Sequence, residues 1–94
     1  MVRPFKKRFI RFNPNVLYFK PQAVPLSLLK EVELSLAEME AVRLCDYSDL
    51  EQTEAAKKMG VSQSTLQRIL TLARKKIAKA IIEGQAIKIN KENK

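Results

Sequence analysis

The stretch Gln52–Ile69, QTEAAKKMGVSQSTLQRI, decides how this chain is read. Two helices that cross closely need a tiny residue at the crossing, and Ala56 stands in that place. The turn between them needs a residue that enters the left-handed region without steric cost, and Gly60 follows four positions later. Apolar residues are required just before the tiny residue and on either side of the glycine; Ala55, Met59 and Val61 supply them. Two more must anchor the second helix on the first, and Leu66 and Ile69 have those offsets. Ser62 is placed to cap the second helix. A glycine between helices is a weak signal alone. The joint pattern of Ala56, Gly60, Val61, Leu66 and Ile69 predicts a helix-turn-helix rather than a plain helical hairpin.

The positions that packing does not use carry the chemistry. Gln63, Ser64, Thr65, Gln67 and Arg68 fall on the early turns of the second helix of the motif. A glutamine amide pairs bidentately with adenine and a guanidinium with guanine in the major groove. These five are therefore the expected base contacts with duplex DNA, weighed against the plainer reading of a solvated face. Thr65 has a competing use in capping. Lys57, Lys58, Arg74 and Lys75, with Lys76 and Lys79 near them, are expected on backbone phosphate, where charge suffices and no sequence is read. Because 74–76 wrap around more than half a helical turn, some of these cations must point elsewhere. Arg3, Lys6, Lys7 and Arg8, followed by Arg11, make a basic arm suited to phosphate or a narrow minor groove.

Outward from the motif, Ser35 and Glu38 form a capping box that opens a first helix within residues 35–47. Leu36, Met39, Val42 and Leu44 are its expected apolar positions, with Ala41 small enough for close packing. Arg43 is expected to pair with Glu40 or Asp46 at helical spacing. Tyr47–Leu50 is a polar break. The motif helices are predicted over Gln52–Met59 and Gln63–Glu83. In the longer one Leu66, Ile69, Leu70, Ala73, Ile77, Ala80 and Ile81 repeat at steps of three and four. Gly84 ends it, and Ala86–Ile89 alternates like a short strand. Its expected partner is a strand at residues 8–12, within the chain or across a dimer. Residues 1–34 read as a basic, extended segment, with Pro21 and Pro25 holding the chain extended. Residues 84–94 read as a short strand and tail. The expected fold is all-α: one helix-turn-helix domain over residues 1–94, with an extended N-terminal arm and short terminal β-strands.

Composition supports a polyanion as partner. The 94 residues carry 18 Lys plus Arg against 10 Asp plus Glu, a net charge of +8. The charge is segregated, with residues 1–20 at +6, 21–56 at −6 and 57–94 at +8. A molecule with one strongly positive side attracts nucleic acid first and anionic membrane second. Composition also excludes several chemistries. Histidine is absent and cysteine occurs once, so Ser-His-Asp catalysis, an internal disulfide and the usual zinc spacings cannot be built. Two separated glycines make no phosphate-cradling loop. No apolar run approaches the roughly 20 residues that span a bilayer. Cys45 reads as a small apolar packing residue, and the acids between Glu38 and Glu54 as caps, helix pairs and solvated groups.

The sequence resembles the small prokaryotic proteins grouped as domain of unknown function 134. The likeness runs through YFKPQAVPL at 18–26, LSLAEMEAVRLCDYSDL at 34–50, EAAKKMGVSQSTLQRIL at 54–70, ARKKIAKAI at 73–81 and EGQAIKI at 83–89. That resemblance implies a DNA-binding protein with a helix-turn-helix of the sigma-factor region 4 type. One departure is Glu51, where members often carry serine as the cap of the motif's first helix. The expectation is a cytoplasmic, non-enzymatic transcriptional regulator that binds duplex DNA as a homodimer, without cofactor, metal or membrane. Ile81 and Ile82 offer a dimer surface. The competing expectations are a non-specific nucleic-acid binder, RNA included, and an adaptor of the transcription machinery.

Overall fold

The computed structural model describes residues 18–90, so the strand expected at 8–12 and the basic arm of Arg3, Lys6, Lys7, Arg8 and Arg11 lie outside the described residues. The chain is mostly helical with a small sheet, which corrects the all-α expectation. Three strands form that sheet: β1 (Tyr18–Phe19), β2 (Glu31–Ser35) and β3 (Ala86–Asn90). Their order is β1-β3-β2, with β3 antiparallel to β1 and parallel to β2. β3 thus bears out the strand expected at 86–89, and its described partners are β1 and β2.

β2 lies inside the stretch read as a merely extended N-terminal segment, and this is the larger correction. Its alternation was present in the residues. Val32 and Leu34 are buried while Glu31 and Glu33 face solvent. Register sets Val32 beside Ile87 and Leu34 beside Ile89, so four aliphatic side chains share the inner face. Among the described strands β2 lies at the edge, and the two glutamates on its outer face discourage pairing with another chain.

β2 runs directly into α1 (Leu36–Val42) through the capping box. Glu38 N–H donates to Ser35 Oγ at 3.1 Å, and Ser35 N–H donates to Glu38 Oε1 at 2.9 Å. α1 continues as one wide π-helical turn, Arg43–Tyr47, and the chain then breaks as expected. The buried face differs from the expected one. Ala37, Ala41 and Leu44 point into the core together with Glu38 and Glu40, while Leu36, Met39 and Val42 are only partly covered. Small residues sit there because α3 crosses α1 closely.

α2 (Gln52–Met59) and α3 (Gln63–Glu83) follow the predicted bounds. Glu51 occupies the N-cap of α2 without any side-chain capping bond, as its departure from serine implies. Gly60 adopts φ +71° and ψ +33°, and its N–H donates to the carbonyls of Ala56 and Lys57. α3, of 21 residues and about 31 Å, is the spine. It packs on α1 and α2 and also on β2 and β3. Leu66, Leu70, Ala73 and Ala80 are buried along it, but Ile81 is 71% exposed and leaves the predicted stripe. The helical core joins Ala37, Ala41, Leu44, Ala55, Ala56, Met59, Leu66 and Leu70.

Candidate nucleic-acid interface

The turn between α2 and α3 sets the start of α3. Ser62, extended at φ −73° and ψ 161°, accepts from Thr65 N–H at 3.1 Å. The Ser62 hydroxyl also donates to Thr65 Oγ1 at 2.9 Å and lies 3.2 Å from Ser64 Oγ. Arg68 Nη2 reaches Thr65 Oγ1 at 3.4 Å, a long contact. Thr65 is therefore occupied by its own helix terminus, the competing use the sequence allowed.

Ala56 and Leu66 are buried in the crossing, Val61 and Ile69 pack against its edge, and Gly60 makes the turn. With those positions turned in, Gln63, Ser64, Gln67 and Arg68 are turned out and exposed. Among the described residues, the side chains of Gln63 and Gln67 make no hydrogen bond within the protein. α3 thus presents polar groups whose pairing capacity is unspent.

The cations divide into two sets. Arg74 donates to Asp46 through Nε at 3.1 Å and Nη2 at 2.6 Å, joining α3 to the π-helical turn. Lys76 turns to the half-buried junction of β2 and α1, where its Nζ donates to Glu33 O at 2.9 Å and to both Glu38 oxygens at 3.0 and 3.1 Å. Lys79 lies 3.8 Å from Glu83. Lys57, Lys58, Arg68 and Lys75 are exposed and join no ion pair among the described residues. Of the cations expected on phosphate, Arg74 and Lys76 are thus held by carboxylates of the fold itself.

Two carboxylates expected among caps, pairs and solvated groups are buried. Glu40, 1% exposed, accepts from Arg43 Nε at 2.9 Å and Nη2 at 2.8 Å, the helical pairing foreseen for Arg43. Glu38 is held by the capping box and by Lys76, a partner 38 positions away that no local spacing reveals. Such fork-like bonds offset part of the cost of burying charge.

Cys45 is half-buried beside the core. Burial, and then the charge of Asp46, push its thiol up, while Arg74 opposes them more weakly. A thiol held in that form is a poor nucleophile. Among the described residues no group of three or more His, Cys, Asp or Glu is placed to hold a metal ion, and no helix is long and apolar enough to cross a membrane.

The Arg74 guanidinium holds the Asp46 carboxyl below its ordinary range, against a smaller opposing effect of burial. A carboxyl with a depressed folded-state pKa adds stability above its unfolded value, about 3.9, and loses it as pH falls through the folded value. Both side chains are partly exposed, so solvent limits the contribution to about 1 kcal/mol at most. Melting temperatures of the wild type and Asp46→Asn should differ modestly near neutrality and converge as pH drops below the carboxylate range. A difference that widens in acid would show that another group governs this region.

The family described as "Protein of unknown function DUF134" matches residues 1–93. The chain belongs to this family. Curated relatives bear the name UPF0251. One from Caldanaerobacter subterraneus subsp. tengcongensis is 52% identical over 93 residues, covering 99% of this chain and 79% of the relative. Another from Halothermothrix orenii is 51% identical over 88 residues, 94% of this chain and 65% of the relative. A third from Desulforudis audaxviator is 48% identical over 93 residues, 99% of this chain and 61% of the relative. This DUF134 chain therefore spans about three fifths to four fifths of their lengths. No solved structure matches it.

The strip of α3 beyond Arg68, formed by Thr71, Leu72 and Lys75, was not singled out as a unit from the sequence. In the sequence Lys75 stands out only by its charge. The available signal was Leu72, an apolar residue outside the predicted stripe.

Proposed function

We propose that this chain binds duplex DNA with sequence preference and regulates transcription, with α2, the turn and α3 acting as a helix-turn-helix of the sigma-factor region 4 type. One observation carries the reading. Leu66 is wholly buried at the crossing, while Gln63, Gln67 and Arg68 around it stand exposed on the first turns of α3. Base-reading helices of this type present their N-terminal residues to the major groove. Lys57 and Lys58 at the end of α2, and Lys75 further along α3, supply backbone grip on either side.

Duplex DNA is favoured over RNA or single strands by what α2 and α3 lack. Neither contains an aromatic residue. Single-stranded nucleic acid is held largely by bases stacked on aromatic rings, and A-form RNA closes its major groove to side chains. The test is selection of bound sites from a random duplex library, followed by competition with random duplex and single-stranded RNA at raised salt. Enrichment of one motif that survives competition supports the proposal. Equal loss to every competitor would leave only charge attraction.

The proposed reader works as a homodimer, two copies meeting through the end of α3, where Ile81 and Ile82 are 71% and 82% exposed. A two-fold interface uses the same patch on both partners. The selected site should then contain two half-sites about 34–36 Å apart. Light scattering should give twice the chain mass, and Ile81→Ser/Ile82→Ser should give a monomer. A wild type that stays monomeric on an undivided site removes the dimer.

A further inference from the structure

The exposed surface of α3 does not become uniformly polar after Arg68. Leu72, 50% exposed, stands one turn beyond Arg68. It lines a shallow, open depression of about 570 Å³ with Gln67, Arg68, Thr71 and Lys75. The core does not account for it, since α3 buries Leu66, Leu70, Ala73 and Ala80. Its neighbours in the depression are two polar side chains and two cations free of carboxylate partners among the described residues. An aliphatic group in such surroundings costs solubility and adds nothing to readout by hydrogen bonds.

The major groove offers one apolar feature that an aliphatic side chain can match, the C5-methyl group of thymine. We infer that Leu72 is a specificity-determining residue that packs on a thymine methyl and extends the reading surface one turn past Arg68. The inference rests on the proposed binding of duplex DNA. One helical turn advances about 5.4 Å, and successive base pairs are about 3.4 Å apart. The thymine therefore lies one or two base pairs from the base that Arg68 contacts. Lys75, three residues further on, supplies the phosphate contact that holds this end of the helix in the groove.

The test uses the full chain and the duplex its own site selection yields. Each thymine is replaced in turn by deoxyuridine, which differs only in lacking the C5-methyl. Wild-type protein should lose about fourfold in affinity at one thymine, the fold-change equal to roughly 0.8 kcal/mol for one buried methyl group. Leu72→Ala should bind the parent duplex about as weakly as wild type binds that substituted one, and should be indifferent to the replacement. Thr71→Ser, which removes the neighbouring methyl and keeps the hydroxyl, should retain the sensitivity.

If no thymine is sensitive with the wild type, the inference is overturned without recourse to any variant. It is also overturned if Leu72→Ala keeps the sensitivity or if Thr71→Ser abolishes it. In each case the selected duplex still binds, and the broader reading stands. A selection that enriches no duplex overturns both.

Discussion

Leu66→Ala is expected to cost about 2–5 kcal/mol of folding stability. Leu66 is 0% exposed and belongs to a cluster that α1, α2 and α3 build together, with Ala56, Met59 and Leu70. The alanines around it, Ala37, Ala41, Ala55 and Ala56, have no side chain long enough to move into a void. Met59 and Leu70 have the length to relax toward the void, so the cavity should close only in part and the loss fall within that range. Natural domains hold only about 5–15 kcal/mol in total. Urea denaturation followed by circular dichroism measures the effect as a lower midpoint at unchanged slope. Leu66→Met conserves volume and should cost less than about 1.5 kcal/mol. A loss below 1 kcal/mol for the alanine variant would mean that the crossing of α2 and α3 is not where the fold is held.

Changing Gln63, Gln67 and Arg68 together to alanine should leave folding nearly intact and remove most of the discrimination among duplex sites. All three side chains are exposed, and among the described residues their side chains make one hydrogen bond, the long one from Arg68 to Thr65. Alanine is the best helix former, so α3 loses nothing in propensity. The specific complex should weaken by about 10³-fold, to within the roughly fourfold preference over random duplex that Leu72 would still supply. Residual binding should keep the salt dependence set by the lysines, reduced by about one phosphate contact if Arg68 contributes one. Arg68→Ala alone should cost about 1–3 kcal/mol at one base position where it reads a guanine. Fluorescence anisotropy with the selected duplex and a scrambled one separates these outcomes. A triple variant that still prefers the selected site by much more than about fourfold would move base readout elsewhere.

The two variants probe opposite sides of α3, and the sequence separated those sides well. The inner positions Leu66, Leu70 and Ala73 recur at helical spacing, so a local pattern suffices to find them. Ser62 and Gly60 punctuate the turn through chemistry confined to a few residues. The capping box of Ser35 and Glu38 was legible for the same reason. β2 was hidden by its brevity: two buried aliphatics between glutamates carry little signal beside the basic and proline-containing chain before them. Ile81 fitted the stripe by spacing, yet it is left largely in solvent at the rim of an open depression that Phe19, Pro21 and Ile87 also line.

The cations show where local reading stops. Lys57, Lys58, Arg68, Arg74, Lys75 and Lys76 look alike as charges in a sequence. Arg74 is joined to Asp46, 28 positions away, and Lys76 to Glu38, 38 positions away. Those pairings leave the others to face outward. By itself the sequence determined the helix bounds, the left-handed turn at Gly60 and the excess of positive charge, because each arises within a turn or two of backbone or from composition. Only the tertiary structure decided which cations are neutralised, that β2 and β3 pair in parallel against α3, and that Leu72 lies open beside Arg68. Those outcomes depend on distances between residues far apart in the chain, and the crossing of packed helices sets those distances.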